Sequence, residues 1–248
     1  MLINVDTKGA EWVVVVWFSQ DPIGMHEITS GVDQHGVNQN VFGLPERRIA
    51  KIFVFRLIYG GSKWAYALDP DFNWISKNPK YWQGVIDKFY DKYKGIAKQH
   101  DEWVREAIST GTLVMPTGRI YRFEPKPGKR GGLDWPRTQI LNYPVQGLAH
   151  DIVTIARVSL WKRIRAHDYF KDRVLFVSTV HDSIVLDVAD EAWNDHVRRE
   201  ELVSLVRGVF RDVPANFERL FGVKLNLPIE CEVSVGENLL DTTVVPVV

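Results

Sequence analysis

Three stretches of this sequence carry residue types and spacings suited to phosphate and metal chemistry. In Val5-Asp6-Thr7-Lys8-Gly9-Ala10-Glu11 a carboxylate ends a short apolar strand, where a divalent cation can be held beside an open cleft. Asp6 is equally a turn aspartate on this stretch alone. Between Pro45 and Tyr59, the residues Arg47, Lys51, Phe55 and Tyr59 fall at successive steps of four, so on a helix they form one slowly drifting stripe. Two cations followed by two aromatics suit a nucleotide, with charged heads toward a triphosphate and rings beneath sugar and base. An amphipathic helix with a basic solvent edge and an aromatic core edge has the same spacing. Finally, Val174–Val188 reads as a hairpin with His181-Asp182 at its bend. Buried flanking strands would make Asp182 a rigidly placed ligand, although aspartate is also favoured in turns for its local hydrogen bonds.

The elements that must position these residues follow from pattern. An apolar stretch at Ile3–Val5 is followed by an acidic turn and a second apolar run through Phe18. Residues 21–44, rich in Gly, Asn, Gln and Pro, read as loops with one short helix. Pro45 stands where a first helical residue favours proline, and Gly60-Gly61 supplies a stop, which predicts about four helical turns between them. Residues 80–110 form a second helical block, Pro125–Gly132 a basic flexible loop, and 142–165 a long helix after Pro144. One helix is expected over 190–211, and Ile229–Gly236 alternates as a strand.

Composition sets the outer bounds. With 45% apolar and 25% charged residues, the 248-residue chain is ordinary for a globular protein of one large or two small domains. No stretch nears the roughly 18 consecutive apolar residues of a membrane span, and the start lacks the basic and apolar regions of a signal peptide. The one cysteine, Cys231, excludes an internal disulfide framework and fits a reducing compartment. Formal net charge is zero, which by its sum argues against a dedicated nucleic-acid binder. Its distribution argues otherwise: Arg47, Arg48, Lys51, Arg56 and Lys63 face one acid, Glu46, within 44–64. A second basic cluster, Arg119, Arg122, Lys126, Lys129, Arg130 and Arg137, lies within 117–138. Either cluster alone is also explained by a solvated face.

Taken in order, these pieces resemble family A DNA polymerases. DTKGAE is similar to the first catalytic motif, RRIAKIFVFRLIYGG to the fingers helix Arg-x3-Lys-x3-Phe-x3-Tyr-Gly, and PTGRIYRF to the connector that follows. NYPVQGLAHD resembles the Asn-x-Pro-x-Gln-Gly-x-Ala-x-Asp helix start, VHDS the last motif, and ECEVSVGENLLD the closing strand. The resemblance spans essentially the whole chain, and its details are nearest to bacteriophage members, whose setting is the cytoplasm of an infected bacterium.

The resemblance implies an α+β fold: an antiparallel palm sheet built from two sequence segments (1–20 and 136–248) with a helical fingers domain (21–135) inserted between them. It implies two-metal transfer of a dNTP onto a primer 3′-hydroxyl, with two Mg²⁺ ions about 3.5–4 Å apart, or Mn²⁺ in their place, held by Asp6, Asp182 and the Thr7 carbonyl. Arg47 and the catalytic Lys51 would bind the β- and γ-phosphates, with His35 also at the nucleotide. Phe55 would pack on the sugar, Glu11 would block a ribose 2′-hydroxyl, and Tyr59 would lie near the templating position. Asn142, Gln146, His181 and Arg119 would contact primer-template DNA.

Departures from the family pattern are also legible. Ser183 replaces the usual Glu of the last motif, Arg56 stands where Gly commonly follows the Phe, and Thr138 occupies a place often held by Arg, with Arg137 adjacent. In the family, the thumb, early palm strands and any 3′–5′ exonuclease precede the first aspartate motif, whereas Asp6 lies near Met1. The expectation is a split or truncated polymerase, lacking thumb and early palm, whose partner polypeptide carries them. Other readings are a non-catalytic DNA-binding or assembly module, a template-dependent RNA polymerase and a two-metal nuclease.

Overall fold

The computed structural model describes residues 1–128 and 131–246. The chain runs β1 (Leu2–Thr7), α1 (Ala10–Ser19), α2 (Pro22–Ser30), α3 (Gln34–Phe42), α4 (Arg47–Ile58), α5 (Lys63–Leu68), α6 (Pro70–Asn73), α7 (Pro79–Lys92) and α8 (Lys94–Thr110). Short strands follow, β2 (Thr112–Val114) with β3 (Ile120–Arg122) and β4 (Lys126–Pro127) with β5 (Leu133–Asp134). Then come α9 (Arg137–Ala166), β6 (Val174–Val180), β7 (Ser183–Val188), α10 (Asp190–Asn194), α11 (His196–Arg211), α12 (Val213–Phe221), β8 (Cys231–Gly236) and β9 (Thr243–Val244). The fold is α+β and divides into two compact units: 1–11 with 147–248, and 12–146.

The first unit is organised by an antiparallel sheet in the order β6-β7-β1-β8-β9. Alternation in Leu2-Ile3-Asn4-Val5-Asp6-Thr7 buries Ile3, Val5 and Thr7 while Leu2, Asn4 and Asp6 stay half-exposed. β1 lies between β7, where Asp6 is opposite Ser183, and β8, where Asp6 is opposite Glu232. β7 is buried from Ser183 through Leu186, as a central strand should be. The helix expected over 190–211 is instead two, α10 and α11. The chain is extended at Asp195, whose carboxylate accepts from the amides of Val197 and Arg198 and starts a new helix.

The second unit is helical around an aromatic core. Phe53 of α4 packs on Tyr66 (4.9 Å between centroids), Phe42 (5.8 Å) and Trp82 (6.3 Å). The Tyr66 hydroxyl donates to the Phe53 carbonyl at 2.9 Å, which satisfies the phenol in that core. Truncation of Phe53 to Ala, at 0% exposure, should cost about 3–5 kcal/mol. Residues 21–44 are not loops. α2 starts at the buried Asp21, which caps the amides of Ile23 and Gly24 and also accepts from Gly95, with Pro22 at the first helical position. Gly31 and Gly43, both at positive φ, end α2 and α3. Thus Pro22, Gly31 and Gly43, read as loop signals, are helix punctuation, while Gly24 and Gly36 lie within α2 and α3.

Three further expectations change. α4 begins at Arg47, because Glu46 is extended (φ −137°, ψ 147°) and Pro45 stays outside the helix. At its other end Gly61 is required: a Cβ there would lie 2.7 Å from the Tyr66 hydroxyl and 2.8 Å from the Arg56 carbonyl. α9 starts before Pro144 and runs through it, the lost backbone bond being outweighed by burial of Ile140, Leu141, Val145 and Leu148. The segment expected as a flexible loop over 125–132 instead opens with β4, which pairs with β5 just beyond it, while Lys129 and Arg130 lie outside the described residues.

Candidate functional site

In the first unit, the end of β1 is tied to the tip of the β6–β7 hairpin. The buried Thr7 donates to the Asp182 carbonyl twice, from its amide at 3.2 Å and its hydroxyl at 2.9 Å. The hairpin closes between the paired Val180 and Ser183, leaving His181 and Asp182 as the bend. His181 takes a positive φ of 54°, uncommon for a residue with a side chain and the kind of local strain that gathers at functional positions. Asp6 and Asp182, widely separated in sequence, are thereby carried at the ends of adjacent elements, both half-exposed. Ser183, at the usual Glu position, is turned back: its hydroxyl donates to the Val180 carbonyl at 2.9 Å. Glu11 lies half-buried in the first turn of α1, where a carboxylate also complements the helix dipole.

The chemistry of these donors fits a hard divalent cation. Asp6, Asp182 and the Thr7 carbonyl offer oxygen alone, the set Mg²⁺ prefers, while Cys231 is buried with its thiol pushed up to about 11, by burial first. No group of three or more His, Cys, Asp and Glu is arranged to cage a metal among the described residues. Mg²⁺ usually takes only one or two carboxylates and completes its shell with water and substrate phosphate, so two aspartates are adequate.

In the second unit, the buried face of α4 is Ile49, Ala50, Phe53, Val54, Leu57 and Ile58. The stripe of Arg47, Lys51, Phe55 and Tyr59 lies off that face, its cations exposed and its rings half-buried. The aromatic core edge of the helix is Phe53, not Phe55. His35 of α3 approaches Phe55, with 6.0 Å between ring centroids, and the Lys51 ammonium is 6.0 Å from the same ring. Burial first, then the charges of Lys51 and Arg47, push His35 down to about 4, so its ring is neutral at neutral pH. The His35 Nδ1 is buried without a hydrogen-bond partner among the described residues.

Other expected site residues are placed as follows. Tyr59 caps the C-terminus of α4, Asn142 and Gln146 lie on α9, and Arg119 is exposed just before β3. The Asn142 Oδ1 is likewise buried with no hydrogen-bond partner among the described residues. Arg56 is taken up within its own unit: it pairs with Asp69 and Asp71 and stacks on Phe72 at 4.9 Å. Sequence reasoning missed Asp33, which grips Arg47, and the acids that hold Arg56. Nothing in local spacing marks pairs 13 to 15 residues apart.

Comparison with known proteins accounts for the order of these elements. The chain belongs to DNA polymerase family A, whose model matches residues 1–241. It is 28% identical over 205 residues to DNA polymerase I of Lactococcus lactis subsp. lactis, covering 79% of this chain and 22% of that protein. Against the thermostable DNA polymerase I of Thermus filiformis it is 26% identical over 254 residues, 97% of this chain and 27% of the other. The fold is similar to the POL domain of Pol1 from M. smegmatis, solved in complex with DNA primer-template and dNTP, with a TM-score of 0.68 and 20% identity over 95% of this chain and 39% of that one. The chain spans about a quarter of the length of these curated relatives.

Proposed function

We propose that the chain adds deoxynucleotides to a primer 3′-hydroxyl under template direction, as the palm (1–20 and 136–248) and fingers (21–135) of a family A DNA polymerase. The observation that carries the reading is the double hydrogen bond from Thr7 to Asp182, which joins the two aspartate-bearing elements of a family A chain. Two Mg²⁺ ions, replaceable by Mn²⁺, would be held by Asp6, Asp182 and the Thr7 carbonyl and would supply Lewis-acid stabilisation and a more acidic primer hydroxyl.

The protein's own side chains do the rest. Arg47 and Lys51 offer positive charge to the β- and γ-phosphates, and Lys51 complements the charge that builds on the leaving group. Neutral His35 donates a hydrogen bond at the nucleotide without adding charge. Phe55 packs on the sugar, Glu11 fills the space of a 2′-hydroxyl, and Tyr59 lies near the templating base. Asn142, Gln146, His181 and Arg119 hold the primer-template through backbone and minor-groove edges.

A second polypeptide bearing thumb, early palm and any 3′–5′ exonuclease is part of the proposal. In support, β6 ends the sheet and leaves Leu175, Val177 and Val180 at 59, 57 and 48% exposure, an apolar edge that a further element would cover. The phage-like motif details support a viral source and the cytoplasm of an infected bacterium. No helix among the described residues is long and apolar enough to cross a membrane. The test is Mg²⁺-dependent primer extension at low salt by the chain, alone and with candidate partner polypeptides. Synthesis should be slight alone, restored by the partner, and abolished by Asp6→Asn or Asp182→Asn. DNA binding with no extension under any of these conditions would leave a binding module instead.

A further inference from the structure

The Nε and Nη2 edge of Arg47 is already occupied. Nε donates to both oxygens of Asp33, at 3.1 and 2.8 Å, and Nη2 donates to Oδ1 at 2.8 Å. This planar fork is the one that matches a phosphate. The Arg47 guanidinium holds the Asp33 carboxyl down at about 2, so the carboxylate is charged at any working pH. It also has a built position: a Cβ on Gly36, in the first turn of α3, would lie 2.7 Å from Asp33 Oδ2. Lys51, next along the stripe, has no carboxylate partner among the described residues.

We propose that Asp33 competes with the incoming triphosphate for Arg47, so that nucleotide binding exchanges one anionic partner of this guanidinium for another. The proposal rests on Arg47 being a phosphate ligand. A triphosphate approaching the first turn of α4 meets Lys51 as an open cation but Arg47 as a neutralised one, with a fixed negative charge beside it. Either the carboxylate swings away or two anions share the fork; both lower nucleotide affinity relative to a bare arginine. Asp33 and Arg47 are 54 and 56% exposed, so water screens the pair and the effect is moderate. In this role Asp33 is a specificity-determining residue that restrains anion binding at Arg47 until a ligand with enough charge displaces it.

The measurement is calorimetric binding of dATP to the full chain at low ionic strength, which does not depend on turnover. Asp33→Asn keeps the shape and removes the charge, and should tighten dATP binding severalfold. Gly36→Ala, which displaces the carboxylate rather than deleting it and suits a helical position, should shift affinity in the same direction. In the Arg47→Gln background, which alone should weaken binding, Asp33→Asn should have little effect, because the residue it acts through is gone. Weaker or unchanged binding in Asp33→Asn, with Arg47→Gln still weakening it, would overturn the competition and make Asp33 a positioning or inert residue while the phosphate role of Arg47 stands. If Arg47→Gln leaves dATP affinity unchanged, the phosphate reading of Arg47 fails and the competition fails with it.

Discussion

The hydroxyl and the amide of Thr7 converge on one acceptor, the carbonyl oxygen of Asp182, at 2.9 and 3.2 Å. A strand end and a hairpin tip 175 residues apart are thereby held as one piece. Thr7→Val preserves side-chain volume and the amide bond but deletes the hydroxyl. Loss of this part-buried hydrogen bond, with the carbonyl still accepting from the amide, should cost about 0.5–1.5 kcal/mol of stability. Extension should fall further than the stability change accounts for, because Asp182 loses its fix relative to Asp6. Urea midpoints and extension rates measured on the same preparation separate the two; an unchanged rate would mean the hairpin tip needs no such anchor.

Glu11→Ala should raise use of ribonucleotides relative to deoxyribonucleotides. In the proposed role its side chain fills the space of a 2′-hydroxyl, and its removal relieves an exclusion typically worth about 1–3 kcal/mol, on the order of tenfold in relative kcat/KM. A ratio equal to wild type would leave Glu11 as the acidic residue that complements the α1 dipole.

Phe55→Tyr should increase termination by dideoxynucleotides. The new hydroxyl can replace the hydrogen bond lost with the 3′-hydroxyl; a bond near charged phosphate is worth about 1.5–3 kcal/mol, on the order of tenfold or more. Termination at a fixed dideoxy-to-deoxy ratio reports it. No increase would place the ring away from the sugar, even though it lies off the core face of α4.

Stability should fall as pH drops from 6.5. His100 is 1% exposed and burial pushes it from 6.5 down to about 3; His35 is pushed to about 4. Above pH 6.5 both states hold neutral rings and the groups contribute nothing to pH dependence. Below it the unfolded chain takes up protons that the folded chain refuses, so stability is lost progressively until the folded pKa is reached. For the buried His100 the loss is about 1.4 kcal/mol for each pH unit below the unfolded value. Urea midpoints at pH 7 and pH 5 test this before most carboxylates titrate. His100→Gln should lose clearly less between the two; an equal loss would assign the effect to other groups.

Much of the local structure that carries the candidate site residues was legible because its signals are local. The steps of four in α4, the hairpin around His181-Asp182 and the alternation of β8 each depend on backbone periodicity within a few residues. The misread segment 21–44 shows where local signals run out: Asp21, Pro22 and Gly31 are turn formers and helix caps alike. Burial of Asp21, with its bond to Gly95 from 74 residues away, accompanies the helical outcome.

By itself, the sequence determined the order of the motifs along the chain and the helical register that aligns Arg47, Lys51, Phe55 and Tyr59. It could not determine which side of that helix meets the core, since Phe53 and Phe55 are equally apolar. That was decided by Phe42, Tyr66 and Trp82, which close around Phe53 from three other helices. Nor could it show Thr7 bonded to Asp182, Asp33 on Arg47, or Arg56 held by Asp69 and Asp71. Such pairs form when distant segments cross, and side-chain charge and hydrogen-bonding capacity leave the partner unspecified until packing brings one within reach.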